Sequence, residues 1–177
     1  MEIRDAHESD LPRIAEMIAD FAKGHKSEHY PRSAENLRAA YFGDGPVAHL
    51  LVATGADRVI GMVQWTKFYD AFWSMFGVQG EWLYVRPEAR GFAVAAALIT
   101  EVCARGRRAG ASFLRGGALT DDVAHLYERC AIGGPSYECH VSGEAFQVLA
   151  DLGGKPVREI VRGLPDRELG LVPERPR

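Results

Sequence analysis

Residues 83–98 carry the densest chemical signal in the chain. An apolar strand, Leu83-Tyr84-Val85, stops at Arg86-Pro87, and after a short loop Arg90-Gly91 opens an alanine-rich helix through Phe92, Ala93, Val94, Ala95 and Ala96. A strand that runs through small residues into a helix aims unpaired backbone N–H groups and the positive end of the helix dipole at one spot, which suits a phosphate. Glu81 stands just before this strand, and Tyr69, Phe72, Trp73 and Phe76 stand before Glu81. Aromatic faces of this kind can cage an ammonium or an apolar amine; equally, they can be the core of a β-meander. His25 and His29 have the i,i+4 spacing of two ligands on a helix, yet they flank a loop and lack a third ligand, so no metal is expected. Arg105, Arg107 and Arg108 make a cationic helix C-terminus, which the dipole favours unaided. Cys103, Cys130 and Cys139 are odd in number and lack metal-type spacing, so they read as reduced thiols, with Cys103 on an apolar stripe and expected in the core.

These groups are positioned by a regular alternation of elements. Residues 3–6 read as a first strand. Ser9 or Asp10 then caps a helix with Leu11, Ile14, Ile18 and Phe21 at helical spacing, ending at Gly24. Ser33 starts a second short helix that ends at Phe42-Gly43. Apolar runs at 48–53 and 59–65 flank residues 54–58 as a β-hairpin. The aromatic stretch 68–76 leads into a strand over 82–85. The alanine-rich helix runs to about Arg108, with Val94, Leu98 and Val102 on one face and Gly110 as its stop. A strand over 112–115, a helix over 121–130, a strand over 137–141 and a helix over 143–152 complete the order β-α-α-β-β-β-α-β-α-β-α. The expectation is an α/β (α+β) chain: one domain over 1–152, a mixed central β-sheet flanked by helices on both faces. Residues 153–177 form an extension punctuated by glycine and proline, with Leu164, Leu169, Leu171 and Val172 as apolar positions suited to docking.

Composition narrows the functional classes. At 177 residues and 47% hydrophobic content the chain suits one domain with one core. A net charge of -3 leaves no nucleic-acid footprint. No window reaches the roughly 18 uninterrupted apolar residues that span a bilayer, and Met1-Glu2-Ile3-Arg4 does not read as a signal peptide, so the expected address is the cytoplasm with no membrane partner.

The loop after residue 85 resembles the acyl-CoA pyrophosphate loop of the GNAT acetyltransferase superfamily. That family's motif, Gln/Arg-x-x-Gly-x-Gly/Ala directly after a strand, falls on Arg90, Ala93 and Ala95; Arg90 and Ala95 match it, and Ala93 replaces the usual glycine. Leu126-Tyr127-Glu128-Arg129 lies where the family places a helix with a catalytic tyrosine, and Glu81 lies where many members carry a carboxylate. Tyr30-Pro31, residues 33–37, Phe42-Gly43, Phe68-Tyr69, Trp73, Gly80-Glu81 and Arg90-Gly91-Phe92 are similar to the branch of diamine (spermidine/spermine) and thialysine N-acetyltransferases. The likeness covers residues 2–150.

The resemblance implies a GNAT fold and transfer of the acetyl group of acetyl-CoA to a primary amine of a small molecule, by direct attack in a ternary complex. It implies acetyl-CoA bound by Leu83, Tyr84, Val85 and residues 90–96, an amine bordered by Tyr69, Trp73, Glu81 and Trp82, and a homodimer. Freeing the lone pair of a lysine-like amine at pH 7 costs roughly 4–5 kcal/mol, and Glu81 is the candidate to manage that proton. Tyr127 is the candidate to stabilise the departing thiolate; outright proton transfer from a phenol to it is uphill by about 2 kcal/mol, so hydrogen-bond donation is the better description. Backbone N–H groups at Tyr84 or Val85 would meet the oxyanion. Trp82 stands where the diamine branch often has an acid, which argues for a smaller or more apolar amine. Acetylation of a peptide or protein amine is the alternative within enzymes, and a catalytically silent acyl-CoA-binding module, suggested by Ala93 and Thr120, is the alternative outside them.

Overall fold

The computed structural model describes residues 1–24, 34–56, 58–90 and 92–117. The elements expected over 121–130, 137–141 and 143–152, the extension after 152, Tyr127, Gly91, His25, His29, His125, Thr120, Cys130 and Cys139 lie outside the described residues. Within them, β1 (Glu2–Asp5), α1 (Leu11–Gly24), α2 (Ala34–Phe42), β2 (His49–Gly55), β3 (Arg58–Asp70), β4 (Met75–Val85), α3 (Phe92–Arg108) and β5 (Phe113–Gly116) follow in order. The sheet order is β1-β2-β3-β4-β5, with antiparallel pairing up to β4 and a parallel β4–β5 pair. A parallel neighbour needs a crossover, and α3 supplies it. The expected mixed sheet with helices on both faces is therefore present.

Alternation along β2 divides the core. Leu50 and Val52 face α1 and α2 with Ile14, Met17, Val59, Met62 and Tyr84. Leu51 and Ala53 face the other way, into a cluster with Val63, Trp65, Val78 and the α3 residues Val94, Leu98 and Val102. In α1 the spacing of Leu11, Ile14 and Met17, all at 1% exposure or less, explains why this stripe turns inward. Asp10 belongs to a 3-10 turn over Glu8–Asp10 just before α1. Its carboxylate accepts from the His7 N–H at 2.7 Å and from both terminal nitrogens of Arg4, tying β1 to the helix entry.

α3 rests on the sheet at two bare points. A Cβ at Gly61 would stand 3.1 Å from Val94 Cγ1, and one at Gly106 would stand 2.8 Å from Val78 Cγ1. The helix ends in a Schellman motif: the Ala111 N–H donates to Gly106 O at 2.8 Å and the Gly110 N–H to Arg107 O at 3.0 Å. Gly110 has φ +82, a backbone region glycine enters without penalty. Cys103 is exposed on α3, in place of the core position its stripe suggested. Its neighbours Val102 and Ile99 take the inward positions.

β3 and β4 are longer than the apolar pattern implies. The aromatic stretch is the tip of their hairpin, and the strand expected over 82–85 begins at Met75. Asp70 closes this tip, accepting from the Phe72 and Trp73 N–H groups at 3.0 and 3.2 Å and from Arg115 of β5. An alternation count fails here because both strands carry glycines and polar residues among their apolar positions.

Candidate active site

Glu81 is not at the start of a strand but seven positions into β4, and the strand is irregular there. Gln64 pairs with Glu81 and Met62 with Tyr84, so β4 spends three steps where β3 spends two. The extra residue is a β-bulge. Trp82 takes it up with φ 51, a region that costs a bulky residue on the order of 1–3 kcal/mol and that clusters at functional sites. In a regular strand Glu81 and Trp82 would face opposite sides; the bulge turns both toward α1 and α2. Trp82 then meets Phe21 of α1 edge-on, with ring centroids 5.6 Å apart, and Tyr84 meets the same ring at 6.0 Å.

The Glu81 carboxylate is held on both oxygens. Gln64 Nε2 donates to Oε2 at 2.8 Å, and Gln79 Nε2 donates to Oε1 at 2.8 Å. Behind Gln64, the Tyr41 hydroxyl of α2 donates to Gln64 Oε1 at 2.5 Å. Burial, joined by the negative charge of Glu81, pushes the Tyr41 phenol above its ordinary value, so it stays a donor through the neutral range. Gln64, Gln79 and Tyr41 are residues the sequence reading missed. The one available signal was Gln64, an amide inside an otherwise apolar run.

The bulge also sets the direction of the backbone beyond it. The Arg86 N–H donates to Ile60 O at 3.0 Å, so Arg86 turns its amide toward β3. Alternation then turns the Tyr84 amide toward β3 as well, and those of Leu83 and Val85 toward the opposite edge. β5 pairs with β4 only from Gly77 to Gly80, and among the described residues no strand covers that edge farther on. Of the two oxyanion donors expected, the Tyr84 N–H is turned toward β3 and the Val85 N–H toward the edge that β5 does not reach. The Tyr84 side chain is core at 8% exposure.

Past Val85 the chain makes a 3-10 turn over Pro87–Ala89 and Arg90 is extended, at φ -63 and ψ 139. Arg90 Nε donates back to Val85 O at 3.2 Å, which ties the loop to the strand end. α3 begins at Phe92, so its first amides, from Phe92 to Ala95, have no partner within the helix. The Ala93 side chain is exposed, Val94 is buried, and Ala95 and Ala96 are half-buried. Among the described residues, the start of α3 is therefore exposed on its Ala93 side.

Tyr69 and Trp73 do not join Glu81. Phe76 and Glu81 lie five positions apart in β4, about 17 Å at the usual strand rise, and Tyr69 and Trp73 sit at or beyond Phe76. Tyr69 packs on Phe76 at 5.1 Å, and Trp73 packs on Phe113 at 5.2 Å. Both are about half exposed. Among the described residues no group of three His, Cys, Asp or Glu side chains could hold a metal ion, and no helix is long and apolar enough to cross a membrane.

β4 thus runs from a tethered carboxylate through a bulge toward the start of a helix, where an anion is favoured. Residues 11–132 match the acetyltransferase (GNAT) family model, and the chain belongs to that family of acyl-transferring enzymes. More particularly, it is 34% identical over 108 residues to the thialysine N-epsilon-acetyltransferase of Sus scrofa, which covers 56% of this chain and 64% of that protein. To the protein of the same name from Mus musculus it is 33% identical over 122 residues, with 64% of this chain and 71% of the relative covered. The chain thus spans a little under two thirds of the first relative's length. Among solved structures it resembles a transcriptional regulator from Bacillus halodurans C-125, with TM-score 0.68 at 22% identity over 80% of this chain and 99% of the other. It also resembles a ribosomal-protein-alanine N-acetyltransferase from Brucella melitensis biovar Abortus 2308, with TM-score 0.66 at 20% identity over 81% and 100%. These two likenesses bear on the fold.

Proposed function

We propose that the protein is an N-acetyltransferase that passes the acetyl group of acetyl-CoA to a primary amine of a small molecule by direct attack in a ternary complex. One observation carries this reading: the β4 bulge turns Glu81 and Trp82 to the same face, and the Leu83 and Val85 amides lie on an edge that no strand among the described residues covers and that leads to the start of α3. The relatives named for thialysine support a small amine as acceptor.

The groups present suit the cosubstrate. The first amides of α3, from Phe92 to Ala95, would hold its pyrophosphate at the positive end of the helix dipole, with Arg90 alongside. The edge from Leu83 to Val85 would align its amide-bearing arm. The thioester supplies the electrophilic carbonyl, and the Val85 N–H is the donor aimed at the charge that develops on its oxygen. Glu81 takes the proton of the arriving ammonium, directly or through one water. Trp82 and Phe21 give the acceptor side an apolar wall, which favours an amine with a small or apolar body. Tyr127 donates to the departing sulfur. No side-chain nucleophile is required, because the acceptor amine is one.

The test has two parts. Acetyl-CoA at millimolar concentration should raise the melting temperature, since it binds the native state and not the unfolded one. CoA release should then be measured over a panel of amines that includes thialysine. A melting temperature that acetyl-CoA leaves unmoved sinks the reading.

A further inference from the structure

The polar chain behind Glu81 does more than fill space. It links three elements through four side chains: Tyr41 on α2, Gln64 on β3, and Gln79 and Glu81 on β4. Each link constrains the next. A primary amide can present either its oxygen or its NH2 group to a neighbour, and only the NH2 group is acceptable against a carboxylate. With Nε2 committed to Glu81, Gln64 must turn Oε1 toward α2, where the Tyr41 hydroxyl meets it as a donor. The Tyr41 bond therefore rewards the amide orientation that Glu81 needs and penalises the reverse one.

We propose that Gln64 is a positioning residue for Glu81, locked in orientation by Tyr41, and that this pair fixes the carboxylate oxygens at the bulge where the acceptor amine arrives. The proposal rests on the reading of Glu81 as the group that manages the amine proton. The chain is a brace and not a proton wire, since an amide interposed between phenol and carboxylate carries no proton from one to the other in its ordinary form. Its physical value lies in preorganisation. The bulge frees Glu81 from the regular pleat, and Trp82 beside it already sits in a costly backbone region, so the side chain needs an external reference to hold one geometry. Two amide donors, one on each oxygen, supply it, and each oxygen keeps lone-pair capacity for an incoming N–H.

Three variants and their combination test this: Glu81→Gln, Gln64→Met, Tyr41→Phe and the Gln64→Met/Tyr41→Phe double variant, assayed with acetyl-CoA and the best-turned-over amine of the panel. Gln64→Met keeps volume and removes both bonds; it should lower kcat about 10- to 100-fold with the acetyl-CoA thermal shift retained. Tyr41→Phe should show a smaller loss, about 3- to 10-fold, and the double variant should be no worse than Gln64→Met alone, since Tyr41 acts through Gln64. A packing role would give additive losses. A second readout needs no turnover: the side-chain amide NMR signals of Gln64 and Gln79 should both move in Glu81→Gln, and that of Gln64 alone in Tyr41→Phe. Wild-type kcat in Gln64→Met, with Glu81→Gln impaired, would overturn the positioning role and leave Glu81 its part. Full turnover in Glu81→Gln would instead overturn the reading of Glu81 and the brace together, and a Gln64 amide signal indifferent to Tyr41→Phe would overturn the lock.

Discussion

A lysine-like amine at neutral pH is almost wholly an ammonium, so the group that removes its proton sets the rate at which a free lone pair is available. On the reading of Glu81 as that group, Glu81→Gln should lower turnover at neutral pH by about 100- to 10,000-fold, the scale of general-base catalysis. Turnover should recover in part near pH 9–10, where the amine deprotonates unaided; a kcat/KM profile parallel to the wild type at all pH would contradict this. Tyr127→Phe addresses the other end of the reaction. Its hydroxyl would matter mainly as negative charge gathers on sulfur, so kcat should fall about 10- to 1000-fold while acetyl-CoA binding persists. Full activity in that variant would make Tyr127 a packing residue and leave the thiolate to backbone donors and water.

At the scale of elements, the distance between α3 and the sheet fixes where the helix entry lies relative to the β4 edge. Gly106 is one of two contact points that set it. Gly106→Ala would gain helix propensity of about 1 kcal/mol, yet the new Cβ would stand 2.8 Å from Val78 Cγ1 and 3.1 Å from its Cγ2. Val78 is a short β-branched side chain at 1% exposure and has nowhere to go. Overpacking of this kind costs about 1–3 kcal/mol, so the net effect should be a loss of stability, read as a lower urea midpoint with an unchanged m-value. A midpoint raised above wild type would mean that the helix can lift off the sheet without cost. The parallel pairing of β5 matters at this scale too: it stops at Gly80, so among the described residues no strand pairs with the Val85 amide.

At the scale of the whole molecule, ion pairs fasten the first strand to the helices on both faces. Arg4 of β1 grips Asp10 at 2.7 and 3.0 Å, and Arg105 of α3 reaches Asp5 at 2.5 Å and Glu101 at 2.9 Å. The Arg4 hydrogen bond holds the Asp10 carboxyl below its ordinary range, against the opposing effect of burial and with help from the His7 N–H. A carboxyl lowered in the folded state contributes stability that is complete above its unfolded value of about 3.9 and is lost as pH falls through the folded value. The protein should therefore weaken below about pH 4. Asp10→Asn should be less stable than wild type at pH 7 while losing less of its stability between pH 7 and about pH 3. Urea midpoints at the two pH values check this; an equal drop in both proteins would show that Asp10 contributes nothing to the acid response. We also expect a twofold homodimer, because Leu164, Leu169, Leu171 and Val172 are too apolar for a solvated extension. Light scattering at micromolar concentration that returns the chain mass of 19.5 kDa would contradict it.

What the sequence by itself determined was whatever is written in local chemistry. The period of Leu11, Ile14 and Ile18 made α1, the alternation at 48–53 and 59–65 made a hairpin, and the run of alanines after residue 92 made α3. Those signals lie within one turn or one strand, so each is visible without its neighbours. The bulge is not of that kind. Nothing in Gln79-Gly80-Glu81-Trp82 announces that β4 will carry one residue more than β3, because the mismatch is a property of two strands paired through register. The same holds for the brace of Glu81, whose partners come from positions 41, 64 and 79 and meet only when α2 closes on the sheet. Tyr69 and Trp73 make the converse case. Sequence proximity put them beside Glu81, but an extended strand rises about 3.4 Å per residue, and that rise carries them to the far end of the hairpin.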